Sequence, residues 1–335
     1  MKYTDINFND KTILITGAAG FIGSNLCFYF QENFPNATVV ALDSFRSGET
    51  LSNGNLKSFG HYKNLLGFKG IVISGDINDK VILKQLEHDY NFDYIFHQAA
   101  ISDTTVSEQD LMIKTNVNAY EELLKIAINH SANMIYASSA ATYGDSDRFE
   151  VGFEQPNNVY GFSKVMMDNI TYEYLKKDLD ISIVGLKYFN VYGSREFFKN
   201  KTASMVVQFG HQILKGLTPK LFEGSDKILR DFIYIEDIIQ ANIKATTPKK
   251  SGVYNVGTGK ARSFEDIVTI LQKELEIDNG KEYIPNPYVG QYQFFTQANI
   301  DTTKENLGYE PQFSMEEGIK AYIPEIKRLY KTEVK

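Results

Sequence analysis

Several features that mark particular classes of protein are scarce in this sequence. Cys27 is the only cysteine among 335 residues, which excludes an intrachain disulfide and a cysteine-rich metal site. Aspartate and glutamate outnumber lysine and arginine by 42 to 35, and a chain without a basic excess is not expected to bind nucleic acid. No run of about 18 or more apolar residues occurs, so no segment predicts a membrane span.

These absences lead to a first set of expectations. Residues Met1 to Lys11 are polar and do not resemble a signal peptide. The hydrophobic fraction of 43% and the charged fraction of 23% are ordinary for a soluble globular protein. We therefore expect a soluble cytoplasmic protein with no metal, membrane or nucleic-acid partner. A homo-oligomer is a separate expectation, which does not follow from these absences.

The first half of the chain alternates short β-branched runs with helical patterns. This alternation predicts an α/β fold with a doubly wound parallel sheet, that is, a Rossmann domain. The predicted strands are Thr12–Thr16, Thr38–Leu42, Gly70–Ser74, Tyr94–His97, Asn133–Ala137 and Ser182–Lys187.

The pattern changes after Asn190. A helix is predicted over Met205–Lys215, while Asp231–Ala245 and Val253–Gly257 read as a helix and a strand that return to the main sheet. We therefore expect a smaller α/β substrate lobe interleaved with the Rossmann domain. The predicted division is a dinucleotide-binding domain over 1–189 with returning segments at about 231–260, and a nucleotide-sugar-binding lobe over 190–230 and 261–335.

A glycine-rich turn follows the first predicted strand. Gly17, Gly20 and Gly23 are spaced three residues apart, at the point where a helix begins. Such glycines permit a tight turn, let backbone amides approach a diphosphate and let the helix pack closely on the strand. Asp43 lies twenty residues after Gly23, at the end of the next strand. Together these residues predict a dinucleotide site.

The sequence leaves the choice between NAD and NADP open. Asp43 favours a free ribose 2′-hydroxyl and hence NAD, because a carboxylate repels a 2′-phosphate. Arg46 is three residues further on and could neutralise that phosphate, which favours NADP; its other interpretation is a solvated loop cation. The segment Arg46–Lys69 is rich in serine, glycine and asparagine and predicts an irregular excursion over the cofactor.

Other residues predicted for the cofactor site stand at strand ends or beside the glycine turn. Asp76 and Ile77 follow one strand, and Gln98, Ala99 and Ala100 follow another with small side chains that allow close approach. The remaining predicted cofactor residues are Phe21, Ile22, Ser44, Ser102, Thr115 and Val191.

A tyrosine and a lysine stand one helical turn apart at Tyr160 and Lys164. The ordinary tyrosine pKa of about 10 makes it a poor base at neutral pH, and a neighbouring ammonium is expected to lower that pKa. Ser139 follows the strand Asn133–Ala137, where its hydroxyl could orient a substrate oxygen. The three residues predict a base that takes a hydroxyl proton while hydride leaves the same carbon.

These motifs resemble the extended short-chain dehydrogenase/reductase superfamily. The resemblance includes Tyr188–Gly193 (YFNVYG) and Arg230–Tyr234 (RDFIY) and covers nearly the whole chain. It implies a nucleotide-sugar substrate and a catalytic set of Ser139, Tyr160 and Lys164.

A narrower resemblance is to the ADP-L-glycero-D-manno-heptose 6-epimerase family. It rests on Tyr136–Gly144, on Arg195 and Glu196 after the YFNVYG motif, and on Leu221–Ser225. It implies inversion of C6 of an ADP-linked heptose destined for lipopolysaccharide, with bound NADP and with Lys199 as a second acid/base. The substrate contacts that it implies are Ser139, Asn190, Lys199, Gln208, Phe222, Glu223, Arg230 and Tyr292.

Two alternatives remain open at this point. Another nucleotide-sugar epimerase or dehydrogenase would share the fold, although a 4-epimerase has no use for Lys199 and a 4,6-dehydratase needs an acidic pair where Ala140 and Ala141 stand. A non-catalytic dinucleotide sensor would share the glycine turn, but such a protein needs neither Tyr160 nor Lys164.

Overall fold

The structure is a computed structural model that describes residues 2–286 and 294–334. Its strands are β1 (Thr12–Thr16), β2 (Thr38–Asp43), β3 (Ile71–Ser74), β4 (Tyr94–His97), β5 (Asn133–Ser139), β6 (Ile183–Tyr188), β7 (Asn190–Tyr192), β8 (Lys220–Phe222), β9 (Leu229–Tyr234), β10 (Gly252–Val256), β11 (Ala261–Ser263) and β12 (Glu282–Ile284). Its α-helices are α1 (Phe21–Asn33), α2 (Lys80–Asp89), α3 (Gln109–Met112), α4 (Ala119–Asn129), α5 (Val159–Leu175), α6 (Met205–Leu214), α7 (Ile235–Lys244), α8 (Phe264–Leu275), α9 (Asp301–Leu307) and α10 (Met315–Leu329).

Shorter helical turns connect several of these elements. The 3₁₀ turns are Tyr62–Leu65, Ala140–Thr142, Phe197–Thr202 and Ser225–Lys227, and the π-helical turns are Ile113–Asn118 and Tyr330–Val334.

Seven parallel strands form the central sheet, in the order β10-β6-β5-β4-β1-β2-β3. The strand order reverses beside β1, so the crevice outside the carboxyl ends of β1 and β4 is a topological switch point, where ligands bind in open α/β sheets. The predicted doubly wound Rossmann fold is confirmed.

Apolar side chains on both faces of the sheet explain why its strands read as hydrophobic runs. On one face Ile13 and Ile15 of β1 share a cluster with Phe30 of α1. On the other face Leu14 shares a second cluster with Leu123 of α4. Helices therefore cover both faces, and the functional residues are restricted to the edge where the strands end.

Within the described residues, two small sheets are built from strands that come after β6 in the chain, some of them before β10. They have the strand orders β11-β9-β7 and β12-β8. The prediction of a helix over Asp231–Ala245 was wrong in its first turn, because residues 231–234 belong to β9 and α7 begins at Ile235. Buried Asp231 accepts hydrogen bonds from the backbone amides of Thr258, Gly259 and Ala298, and these distant partners hold the segment extended. The predicted return of a strand at 253–257 is confirmed by β10, which pairs with β6.

Within the described residues, no helix combines the length and the apolar character that crossing a membrane would need.

Candidate active site

A cavity of about 660 Å³ opens at the switch point. Most of the residues predicted for the cofactor and for catalysis lie along its wall. Those residues are Gly17, Gly20, Phe21, Ile22, Gly23, Asp43, Ser44, Asp76, Ile77, Gln98, Ala99, Ala100, Ser102, Thr115, Ser139, Tyr160, Lys164, Val191 and Lys199.

The glycine turn fits a diphosphate. A Cβ atom on Gly17 would lie 2.7 Å from the backbone nitrogen of Ala99, and one on Gly23 would collide with the carbonyl oxygen of Gly17. Only glycine therefore lets the turn fold this tightly. The N-cap of α1 is Gly20, which supplies no capping side chain, so the amides of the first turn face the cavity with the positive end of the helix dipole behind them. The turn has the shape and the donors that a dinucleotide requires.

Asp43 organises this turn while it lines the cavity. Its carboxylate accepts hydrogen bonds from the amide of Ala19 at 2.9 Å and from the amide of Phe45 at 2.8 Å. Burial raises the pKa of Asp43, and the amide hydrogen bonds oppose that rise. Gly60 packs directly on the carboxylate, where any Cβ atom would collide with it.

The predicted excursion after β2 crosses the cleft. We name residues 46–65 the strap. Its tip is tied to the segment after β4, because the side chains of Asn53 and Asn55 donate to Asp103 at 2.9 and 2.7 Å. Leu51 is buried in the cluster that contains Ile101. Residues of the strap and of the segment after β4 both line the cavity. The strap therefore forms part of the cavity wall beyond the carboxyl ends of the strands.

Arg46 does not lie where the sequence predicted. It is not among the cavity-lining residues of the described chain; its guanidinium donates instead to the carbonyl oxygens of Phe59 and Phe198. Lys57 of the strap does line the cavity, beside Ser58. Lys57 was not predicted as a site residue, although its position in a polar, glycine-containing excursion after β2 was an available signal.

Tyr160 and Lys164 are both on the first two turns of α5. Lys164 is 1% exposed, and its Nζ donates to the carbonyl of Ala137 at 2.7 Å and lies 5.8 Å from the centre of the Tyr160 ring. Burial lowers the pKa of Lys164 to about 8. Burial also raises the pKa of Tyr160, against a smaller lowering by the Ser139 hydroxyl. The expectation of a lowered tyrosine pKa was therefore wrong for the chain alone, because desolvation outweighs the neighbouring polar groups.

A buried polar network fixes α5 against the strands. Lys187 of β6 is fully buried and lies 2.6 Å from Asp168 of α5 and 3.1 Å from Glu154. Tyr136 and Ser138 of β5 also donate to Asp168. Asp168 is one turn beyond Lys164, so this network fixes the face of α5 that carries Lys164 against the end of β5.

Lys199 reaches the same cavity from the Phe197–Thr202 turn. Its Nζ lies 5.9 Å from the centre of the Phe21 ring, at the start of α1. Burial lowers the pKa of Lys199, and the charge of Glu196 opposes that shift. Glu196 is fully buried and accepts hydrogen bonds from the backbone of Gly193 and from both the amide and hydroxyl of Ser204.

Only some of the predicted substrate residues line the cavity in the described chain. Asn190 and Arg230 line the cavity, whereas Gln208, Phe222 and Glu223 do not. Gln208 donates its amide to the carbonyl of Ala203 at 2.7 Å, so it supports the turn that carries Lys199. Phe222 ends β8 and pairs with Ile284 of β12, and the backbone amide of Glu223 donates to the carbonyl of Ile284. Tyr292 lies outside the described residues.

A model of the NAD dependent epimerase/dehydratase family matches residues 13–257. This range includes the glycine turn, the Tyr160–Lys164 pair and the Lys199 turn. The match covers the central sheet and the segment between β6 and β10, and it ends just after β10.

Three related proteins agree with this match. The ADP-L-glycero-D-manno-heptose-6-epimerase of Brachyspira hyodysenteriae is 35% identical over 323 residues, which are 92% of this chain and 96% of that protein. The crystal structure of the Helicobacter pylori protein of the same name is 51% identical, covers 98% of this chain and 99% of its own, and superposes with a TM-score of 0.89. A Bacillus cereus UDP-glucuronic acid 4-epimerase variant, in complex with NAD and a UDP-sugar analogue, is 27% identical over 95% of this chain and 100% of its own, with a TM-score of 0.78.

The family model covers more than half of the chain, and the first two relatives extend over nearly all of it. The chain therefore belongs to the NAD dependent epimerase/dehydratase family, within the group that contains the ADP-L-glycero-D-manno-heptose-6-epimerases.

Proposed function

We propose that this chain inverts C6 of an ADP-linked glycero-manno-heptose, in the supply of precursors for the lipopolysaccharide core. The observation that carries the proposal is the presence of two acid/base groups, Tyr160 and Lys199, on separate elements of one cavity. The names of the two relatives that extend over nearly all of the chain support the same substrate.

Inversion of an unactivated secondary alcohol needs a temporary ketone. The bound nicotinamide dinucleotide would accept hydride from C6 and return it, so that no net oxidation occurs. Because C6 lies outside the sugar ring, rotation about the C5–C6 bond presents the second face of the ketone without turning the whole sugar over. Each face then needs its own proton-transfer group.

Tyr160 would serve one of these faces. Its phenol would take the proton of the C6 hydroxyl while Ser139, which lines the same cavity, holds that oxygen. Burial raises the pKa of Tyr160, whereas a cation beside the phenol favours its charged form. The ammonium of Lys164, 5.8 Å from the ring centre, would act as that cation.

Lys199 would serve the other face. Burial brings its pKa down from the ordinary lysine range, and a pKa closer to the working pH suits a group that both gives and takes a proton. A 4-epimerase would use Tyr160 alone, which is why Lys199 separates the two functions.

We propose NADP as the cofactor. Lys57 and Ser58 stand on the cavity wall with Asp43 and Ser44, where an ammonium and hydroxyls could receive a 2′-phosphate. Lys57 takes this role in place of Arg46, whose guanidinium is held by two carbonyls.

For the substrate, we propose that Arg230 binds the diphosphate and that Asn190 binds the sugar. Both line the cavity, and a guanidinium can bind two phosphate oxygens at once. Contacts from Gln208, Phe222, Glu223 and Tyr292 stay predictions, as do the interleaved substrate lobe, the homo-oligomer and the cytoplasmic location.

The direct test is to incubate the purified protein with ADP-D-glycero-D-manno-heptose and follow the sugar by NMR. We expect conversion to the L-glycero epimer, and the same equilibrium mixture from the other direction. UDP-glucose serves as the parallel substrate. Turnover of UDP-glucose without turnover of the heptose would replace the proposal by a 4-epimerase, and cofactor binding without either turnover would leave the dinucleotide sensor.

A further inference from the structure

The Phe197–Thr202 turn, which we name the Lys199 loop, has little hydrophobic packing of its own. It contains no fully buried side chain. Asn200 has φ of +54°, a left-handed backbone conformation that is unfavourable for a residue other than glycine. The turn must therefore be held in shape by its surroundings.

One face of the loop is held by an aromatic stack. The imidazole of His61 lies on the ring of Phe198 with 3.9 Å between centres and 1° between planes. His61 belongs to the strap, and its own backbone amide donates to the carbonyl of Ala19 in the glycine turn at 3.0 Å. Phe198 immediately precedes Lys199.

The backbone of the loop is held by Arg46. The guanidinium of Arg46 donates to the carbonyl of Phe198 and also to the carbonyl of Phe59. The backbone amide of Arg46 donates to the carbonyl of Gly60 at 2.9 Å. One side chain therefore joins the two ends of the strap segment 46–60 to the Lys199 loop.

The chain just before the loop is tied to the strap as well. Arg195 donates to the carbonyl of Asn64 at 2.5 Å, and the side chain of Asn64, which is 3% exposed, donates to the carbonyl of Ala19 at 3.0 Å. A continuous path of hydrogen bonds and ring contacts thus runs from the glycine turn through the strap to the Lys199 loop.

We propose that Arg46 and His61 are positioning residues for Lys199: they hold Phe198 and thereby place the adjacent amine in the cavity. The proposal rests on the acid/base role given to Lys199 above. It also gives the strap a second role, beside lining the cavity through Lys57 and Ser58. Strap and loop are about 140 residues apart in sequence, so neither side of this contact is evident without the tertiary structure.

The variants Arg46→Met and His61→Ala remove the two contacts separately. Arg46→Lys keeps a donor, and His61→Phe keeps a flat ring, so each is the conservative partner of its variant. Matched controls are Arg148→Met and His88→Ala, since Arg148 stacks on an exposed phenylalanine and the side chain of His88 is 87% exposed. Folding is checked by circular dichroism and cofactor content by absorbance.

The main measurement does not depend on activity. Competitive acetylation of lysines over a range of pH, read by mass spectrometry, reports the reactivity and the pKa of Lys199 in each variant. Glu196 is the charged group that faces Lys199, and Arg46, Lys63 and Glu333 are those that face His61. We expect Arg46→Met and His61→Ala to make Lys199 more accessible and to raise its pKa towards the ordinary lysine value, because the amine becomes hydrated.

Turnover is the second measurement. We expect kcat to fall by up to about 10²-fold with little change in KM. A displaced Lys199 amine would no longer stabilise the transition state, whereas binding of the substrate would be unaffected. His61→Phe and Arg46→Lys should restore most of both readouts. If either of the first two variants fails to fold, the other carries the test.

An unchanged acetylation profile of Lys199 in the folded variants would overturn the proposal, and so would an equal change in the controls. The outcome is separable from the proposed function. Full epimerisation by Lys199→Met would refute the acid/base role, while the acetylation data would still report whether Arg46 and His61 place the amine.

Discussion

Asp168 and Lys187 form a 2.6 Å ion pair in which the lysine side chain is fully buried. The pair joins α5 to β6, and Asp168 is one helical turn beyond Lys164. Removing the lysine would leave Asp168 without its buried cation, and breaking a buried pair from one side costs about 3–5 kcal/mol. We expect Lys187→Met to lose about that much free energy of unfolding, measured by chemical denaturation.

The matched control for this prediction is Lys176→Met. Lys176 and Glu173 have the same 2.6 Å separation, but both side chains are 69% exposed, and exposed pairs contribute about 0–1 kcal/mol. Equal losses in the two variants would contradict the assignment of stability to the buried pair.

If Tyr160 and Lys199 have the proposed acid/base roles, both should be needed for either direction of the reaction. Tyr160→Phe and Lys199→Met should each slow epimerisation by about 10²–10⁴-fold, because each removes the proton transfer at one face of the ketone. Exposed Lys201 in the same turn is the control, and Lys201→Met should turn over normally. NMR with each epimer is the measurement, and near wild-type turnover in Lys199→Met would favour a single-base enzyme.

Lys164 should make stability depend on pH. Its pKa is about 8 in the folded chain and 10.5 ordinarily, so the unfolded state binds more protons between these values. Unfolding free energy therefore rises with pH in that window, by about 2 kcal/mol between pH 7.5 and 9.5. Denaturation of the cofactor-free protein at both pH values should show this rise relative to Lys164→Met. If the unfolding free energy depends on pH equally in wild type and variant, burial does not lower the pKa of Lys164.

The hydrogen bonds between the strap and Asp103, in the segment after β4, should slow the release of bound cofactor. Asp103→Ala removes the acceptor of the Asn53 and Asn55 amides, and hydrogen bonds to a charged group contribute about 1.5–3 kcal/mol. We expect bound dinucleotide to leave about 10-fold faster or more, measured by exchange against labelled cofactor. Exposed Asp178 provides the control variant Asp178→Ala, and an equal release rate in both would refute a retaining role.

Cofactor preference tests the proposed role of Lys57. Lys57→Met should weaken NADP binding by about 10- to 10²-fold through loss of a charge-assisted hydrogen bond, with NAD binding unchanged. Arg46→Met is the informative comparison, because Arg46 does not line the cavity and should leave the ratio of the two affinities near that of the wild type. If the ratio of the NADP and NAD affinities changes more in Arg46→Met than in Lys57→Met, Arg46 and not Lys57 binds the 2′-phosphate.

Much of the fold and of the chemistry is predictable because it is recorded in contiguous residues. The spacing of Gly17, Gly20 and Gly23 is a local steric requirement, and the placement of Tyr160 and Lys164 on one helical face follows from the helical period alone. Strand and helix alternation is likewise a property of short windows. Each of these predictions agrees with the structure.

The tertiary structure decided what depends on residues distant in sequence. The guanidinium of Arg46 donates to carbonyl oxygens because Phe198 is folded against it. Residues 231–234 form a strand and not a helix because Asp231 accepts hydrogen bonds from the backbone amides of Thr258 and Ala298. Burial raises the pKa of Tyr160, and burial is produced by the whole fold. Periodicity and glycine spacing are therefore determined by the sequence by itself, whereas the direction of a loop side chain and the desolvation of a charge arise only when separate segments meet.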